Sequence, residues 1–262
     1  MKSFDMYTRN KSTKDMGVLC IKANVYDSSK TKIEYTDVPG ALSPVSINTD
    51  VVPRLTIKIE CGIVGYDVPS KLEELKDWLM SDYIDLPIRF STHFNYYWEG
   101  YVEDITDIEE YNRTSAKFNI IINCVGYKVY ETGAIGKKLV LTNTDYVVGT
   151  HHRVSIATPV VKFVKTDGLK SFKLHYSYFD KNKRANIENV FDFTNLDSLP
   201  TGKELILDWA NQDFYYISNG VPVPCNTLIN NMFYNIPSNT FKVRVEGVDS
   251  LAVEVTPYWR VK

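Results

Sequence analysis

The sequence predicts a mainly β protein in two domains: a β-barrel or sandwich with one packed α-helix over residues 1–133, then a β-sandwich over residues 137–262. Three observations carry this. Apolar and polar residues alternate along most of the chain, the period of a strand with one wet face. A single segment, "SKLEELKDWLMSD", changes to helical spacing. Near "ETGAIGKKL", residues 131–139, glycines and lysines interrupt the pattern, and short apolar runs separated by turn signals follow. A chain of 262 residues could fill one large β domain or two of ordinary size, and the interruption favours two.

The first strand-like stretch is "GVLCIKANVY", residues 17–26, with Leu19, Ile21, Ala23 and Val25 opposite Lys22 and Asn24. "LTIKIECGI" alternates more cleanly, placing Leu55, Ile57, Ile59, Cys61 and Ile63 on one face and Thr56, Lys58 and Glu60 on the other. The helical segment begins at Ser70 with Glu73 three places on, a capping box that would satisfy free N–H groups at a helix start. Leu72, Leu75, Trp78 and Leu79 then share one face, with Pro69 before the helix and Pro87 after it. "LPIRFSTHFNYYWEGYVEDI" is dense in β-formers, and "AKFNIIINCVGYKVY" alternates Phe118, Ile120, Ile122 and Cys124 with Lys117, Asn119 and Asn123. The polar, turn-rich "TDIEEYNRTS" between them makes the pair a long β-hairpin. In the second domain strands are expected in "VSIATPVVKFV", "FKLHYSYF", "NVFDF", "ELILDW", "FYYI", "MFYNI", "FKVRVEG" and "LAVEVTPYW". Turns are expected at Thr166-Asp167-Gly168, Pro200-Thr201-Gly202 and Ser218-Asn219-Gly220.

Composition excludes several classes. Lys and Arg total 30 against 32 Asp and Glu, a formal charge of -2, so no generic nucleic-acid surface is signalled. Cys20, Cys61, Cys124 and Cys225 stand far apart, with no C-x-x-C pair and no nearby histidines to complete a zinc set. The first three sit among alternating apolar residues and read as small buried hydrophobes in a reduced interior rather than as a disulfide framework or catalytic thiols. "MKSFDMYTRNKSTKD" lacks the apolar core of a signal peptide, and no run approaches the ~20 apolar residues of a membrane span, so a soluble, cytosolically made protein is expected. The Asn-x-Ser/Thr triplets at Asn10 and Asn112 carry little weight without a secretory route.

The arrangement resembles the distal tail proteins of long, non-contractile-tailed bacteriophages, which form the hub between tail tube and tip. The carriers in the first half are "DVPGALSPVSINTDVVPRLTIKIEC", the helix "KLEELKDWLM" ending in Trp-Leu, the aromatic strand "HFNYYWEGYVEDI" with its Tyr-Tyr pair, and "KFNIIINCVGYKVY". In the second half they are "NTDYVVGTHHRVSIATPVVKFV", "LPTGKELILDW", "FYYISNGVPVP" and "NIPSNTFKVRVEG", where Ser238 stands at the glycine position of the family's Leu-Pro-x-Gly-x-Asn turn. The resemblance implies a tail-tube-like first domain, a galectin-like second one and a virion structural role after assembly in the host cytoplasm. Six copies would form a ring through the first domain, with the sandwiches outside. The implied partners are the chain itself, the tail-tube protein, tip or tail-associated proteins and receptor-binding or baseplate components. DNA would pass through without specific binding, and no membrane insertion is implied.

"YYWEGYVEDITDIEE", Tyr96 to Glu110, places three aromatics ahead of six carboxylates with no Lys or Arg among them. Three readings compete for Glu99, Glu103, Asp104, Asp107, Glu109 and Glu110: a solvated hairpin, an acidic channel lining, or the paired carboxylates of a glycosidase. Residues two apart share a face of a strand, so Glu99 and Glu103 align away from Trp98 and Val102. Such a lining would repel a sliding polyanion, since lysines and arginines are what make phosphate contacts stick. Glu109, Glu110, Tyr111, Asn112 and Arg113 would form an arm toward a neighbouring subunit or the tube. His151 and His152, adjacent in an extended chain, point to opposite faces and make a poor metal site, while His93 and His175 read as structural or surface residues. No G-x-S-x-G elbow or glycine-rich phosphate loop is present, so no catalytic residue, cofactor or metal is assigned. Trp209, Tyr215, Tyr216, Tyr234, Tyr258 and Trp259 read as packing residues, though aromatic faces also stack on sugars. The alternative function is therefore a lectin-like protein that grips cell-surface glycans.

Overall fold

The computed structural model describes residues 3–25, 33–36, 45–48, 52–65, 67–150, 156–181, 183–230 and 233–261. The chain divides into two compact units, Met1–Val129 and Tyr130–Val261. It is mainly β, with one α-helix among the described residues, and none of its antiparallel sheets closes into a barrel.

The first unit runs β1 (Met6–Thr8), β2 (Lys11–Ser12), β3 (Val18–Ala23), β4 (Ile33–Thr36), β5 (Val45–Asn48), β6 (Leu55–Val64), α1 (Val68–Leu79), β7 (Leu86–Phe90), β8 (Tyr96–Asn112) and β9 (Ser115–Tyr130). Its main sheet follows the order β3-β6-β9-β8-β7-β1-β2, and β4 pairs with β5 in a separate ribbon. β6 behaves as its alternation dictates: Ile57, Ile59, Cys61 and Ile63 are buried, while Thr56 and Lys58 are exposed. β3 does not. Its register with β6 shifts between Cys20 and Lys22, and this bulge turns Val18 and Cys20 inward while Leu19 stays 54% exposed. One extra residue reverses the face of everything beyond it, which alternation alone cannot foresee.

α1 buries Leu72, Leu75, Trp78 and Leu79, as its spacing requires, but it starts at Val68 rather than at a Ser70 cap. Asp67 precedes it in a left-handed conformation (φ 58°) without a side-chain cap, and Pro69 occupies the first turn. Proline fits there because that turn's N–H groups lack intrahelical partners anyway. The Val68 N–H finds one outside the helix, donating 3.2 Å to the Arg113 carbonyl at the hairpin tip. Ser70 and Glu73 therefore lie inside the helix.

The second unit packs two antiparallel sheets. One follows β10 (Lys137–Leu141), β21 (Leu251–Thr256), β13 (Val160–Val164), β16 (Glu204–Asp208), β17 (Asp213–Ser218) and β18 (Val221–Pro224). The other follows β11 (Tyr146–Gly149), β20 (Thr240–Glu246), β14 (Phe172–Asp180), β15 (Ala185–Phe193) and β19 (Ile229–Asn230). Short β12 (Ile156–Ala157) and β22 (Trp259–Val261) pair with each other. The core between the sheets is aromatic. Phe193 stacks on Phe172 at 4.5 Å between centroids and meets the edges of Phe163 and Phe214 at 5.6 and 5.2 Å.

Asn219 and Gly220, at φ 52° and 79°, form the two-residue turn joining β17 to β18, where both central positions need a positive φ. The strand expected in "MFYNI" is not formed: among its described residues only Ile236 makes an isolated bridge, to Ala157.

Candidate assembly surface

The β8–β9 hairpin holds all the carboxylates singled out in the sequence. Strand structure continues through "TDIEEYN" to Asn112, and only Arg113 and Thr114 turn. Asn112 Oδ1 closes that turn by accepting hydrogen bonds from the Thr114 N–H (2.8 Å), the Thr114 hydroxyl (2.7 Å) and the Ser115 hydroxyl (3.0 Å). The polar segment is a strand because pairing with β9 satisfies its backbone whatever its side chains prefer.

Two distortions shape β8. Trp98, Gly100 and Val102 are buried in alternation, but the next buried residue is Ile105, so the parity slips at Glu103–Asp104. Asp107 then takes a left-handed φ of 52°. From Asp107 to Thr114 every side chain is exposed. β7 pairs with β8 only at Trp98, Glu99 and Gly100, so from Tyr101 to Asn112 no described strand hydrogen-bonds the side of β8 away from β9. This is a long open sheet edge bearing five carboxylates and two backbone irregularities, features that discourage indiscriminate strand addition.

Glu103 is exposed on the face opposite Trp98 and Val102, and Glu99 shares that face half-buried. Around them the face is a mosaic of charges rather than an acidic field. Arg54 pairs with Asp85 through both guanidinium ends at 2.6 and 3.1 Å and lies 5.3 Å over the Tyr101 ring. Lys58 reaches Asp107 at 3.1 Å, Asn119 donates to the same carboxylate at 2.6 Å, and Lys117 reaches Glu60 at 2.8 Å. Asn123 donates 3.4 Å to Glu103, and the Tyr111 hydroxyl donates 3.2 Å to Glu109. Six carboxylates clustered within twelve positions of the sequence thus separate into different environments, and none of these contacts pairs two of them as a glycosidase would.

The hydrogen bond from Lys58, then that from Asn119, holds the Asp107 carboxyl below its ordinary 3.8. A depressed folded value means that this group's stabilising contribution is complete above 3.8 and disappears as pH falls through the depressed one. The expected result in an NMR titration is an Asp107 midpoint below 3.8 that returns toward it in Lys58→Met. An unchanged midpoint in the variant would show the ion pair to be unoccupied in solution.

His93 packs edge-on to Trp98 at 5.6 Å. His175 is the centre of a cluster. Its ring nitrogens lie 3.0 Å from Glu188 and 2.9 Å from Glu246, and Arg244 reaches both His175 and Glu188. Arg244 first and His175 second hold the Glu188 carboxyl below its ordinary range. The signal for this cluster is register: His175 faces Arg244 across β14–β20, which spacing in sequence does not reveal.

His151 and His152 lie outside the described residues. Among the described residues no group of three or more His, Cys, Asp or Glu is placed to hold a metal ion. Trp209 and Trp259 are buried, packed against Phe191 and Phe241 respectively, whereas Tyr234 is 47% exposed. Cys20, Cys61, Cys124 and Cys225 are all buried free thiols. No described helix is long and apolar enough to cross a membrane.

A mainly antiparallel β chain in two units, with one helix on the first and an aromatic sandwich as the second, defines the architectural class. Within that class the fold matches the crystal structure of the Dit protein of phage SPP1, described as a paradigm of hub adsorption apparatus in phages infecting Gram-positive bacteria. The TM-score is 0.65, and the match covers 97% of this chain and 98% of that one at 14% sequence identity. The likeness is one of fold and extends over both units. No protein-family model matches the sequence, and no curated protein matches it either.

Proposed function

We propose that the chain is a structural hub protein of a phage tail tip or baseplate, acting in the virion and performing no catalysis. The observation that carries this reading is the fold likeness to a phage hub protein over essentially the whole of both chains. In this role residues 1–133 form the tail-tube-like ring domain and residues 137–262 a galectin-like outer sandwich. Six copies close into a ring that joins the tail tube to tip or receptor-binding components and leaves a channel for DNA.

The open edge of β8 supplies the backbone groups for such closure. An edge that a monomer leaves unpaired is satisfied when identical copies repeat around an axis. Glu109, Glu110, Tyr111, Asn112 and Arg113 form the arm that reaches the neighbour or the tube. Glu99 and Glu103 line the bore on a face where Arg54, Lys58 and Lys117 are each held by a carboxylate. A polyanion then passes because these cations are already engaged, and the carboxylates add repulsion.

The test is light scattering and negative-stain imaging of concentrated protein, alone and with tail-tube protein. Six-fold annuli are expected. Separate particles under both conditions would overturn the ring, and retention of such a monomer on a glycan column would favour a lectin instead. The double variant Glu109→Lys, Glu110→Lys is expected to keep monomer stability within about 0.5 kcal/mol, since both side chains are exposed, while abolishing annuli. Normal annuli from that variant would remove the arm from the interface.

A further inference from the structure

We propose that Cys20 and Cys61 form an oxidisable dithiol, a modification site at which a peroxide closes a disulfide between β3 and β6. The two residues are direct register partners in an antiparallel pair. Their sulfurs lie 3.8 Å apart, and both side chains are fully buried. Directly opposed residues in such a pair have Cα atoms roughly 4.5–5.5 Å apart, inside the roughly 4.4–6.8 Å span that a disulfide accepts. Side-chain rotation can therefore bring the sulfurs to bonding distance with the strands left in register. Cys124 cannot compete for Cys61. On β9 Cys61 faces Phe118, and Cys124 lies six residues farther along, about 20 Å at the rise of a strand.

The surroundings also differentiate the two thiols. Cys61 donates its S–H to the Cys20 sulfur, which with Thr13 Oγ1 at 3.5 Å holds Cys20 below the ordinary thiol range; the same hydrogen bond and burial push Cys61 up. Cys20 lies on β3, which among the described strands pairs with β6 alone, whereas Cys61 lies on β6 between β3 and β9, so Cys20 is the thiol that peroxide reaches first and the nucleophile. Its thiolate attacks one oxygen of hydrogen peroxide, breaking the O–O bond to give a sulfenic acid and hydroxide, which takes up the proton that Cys20 released. The Cys61 sulfur then attacks the sulfenyl sulfur, loses its own proton and expels a second water. Two thiols are oxidised and one peroxide is reduced. Access comes from β3, whose only described strand partner is β6 and whose other side is covered at Cys20 by the single bridge to Phe4. Opening the segment around Phe4, held to Cys20 by an isolated bridge, costs less than unfolding the unit.

The experiment uses the full wild-type chain. After hydrogen peroxide treatment in sub-denaturing urea, free thiols are alkylated and non-reduced peptides are mapped by mass. The expected result is a Cys20–Cys61 linked peptide about 2 Da lighter than the sum of its parts, with Cys124 and Cys225 alkylated. Closing a loop between residues 41 apart should raise the thermal midpoint by roughly 5–10 °C, and reduction by dithiothreitol should reverse it. Cys20→Ala and Cys61→Ala should each abolish both the linked peptide and the shift. Recovery of both thiols alkylated, or of sulfinic acid at Cys20 without a linked peptide, would overturn the proposal.

Discussion

Phe193→Ala is expected to lower the stability of the second unit by about 3–5 kcal/mol, the range for deleting a fully buried aromatic ring. Phe193 has no exposed surface and touches both layers of the sandwich: Phe172 and Phe191 lie in or beside its own sheet, and Phe163 and Phe214 belong to the opposite one. Removing it leaves a void bounded by rings that already hold one another by edge and face contacts, so collapse into the space is limited. Chemical denaturation followed by tryptophan fluorescence provides the measurement, since Trp209 packs on Phe191 of the same core. A loss below about 1 kcal/mol would mean that the core rearranges freely and is not the fixed aromatic layer described above.

Gly100→Ala should be nearly as damaging to the first unit, at about 3 kcal/mol, although it adds a single methyl group. A Cβ at Gly100 would stand 2.6 Å from the Asn123 carbonyl oxygen and 2.9 Å from both Cα and Sγ of Cys124. Two of these atoms are backbone on β9, so no rotamer change clears the space and the strands must move apart. Gly62 provides the control. In the same sheet its added Cβ would meet only Ile21 Cδ1 at 3.8 Å and the Ala116 oxygen at 3.9 Å, ordinary contacts, so Gly62→Ala should be neutral or slightly stabilising. Comparing denaturant midpoints of the two variants separates close approach from the general effect of replacing glycine, and equal midpoints would refute the steric argument.

What the sequence revealed depended on whether a residue's partner was near in the chain. The buried faces of β6 and α1 were legible because each follows from one uninterrupted local period, as Ile57, Ile59, Cys61 and Ile63 or as Leu72, Leu75, Trp78 and Leu79. Interruptions by a single residue were not legible: the bulge in β3 left Leu19 outward, and the parity slip before Ile105 is equally silent. Ser70 and Glu73 have capping-box spacing, yet the helix begins upstream where Val68 buries its side chain and the Arg113 carbonyl receives its N–H. The fates of Lys58 with Asp107 and of Arg54 with Asp85 were decided by partners 49 and 31 residues away. Those distances also explain why a run of acids that looks like one site in the sequence separates into several environments in space.

The side of β8 that no described strand pairs between Tyr101 and Asn112 gives the protein a colloidal character that its modest net charge of -2 would not suggest. The four carboxylates of this edge other than Asp107, which Lys58 neutralises, keep like copies apart over about 10 Å at 0.1 M salt and over only about 3 Å at 1 M. Concentrated salt should therefore promote self-association of purified chains, visible as rising light scattering with a β-rich infrared signature. Shelf life in the absence of partners then becomes a question of ionic strength as much as of folding.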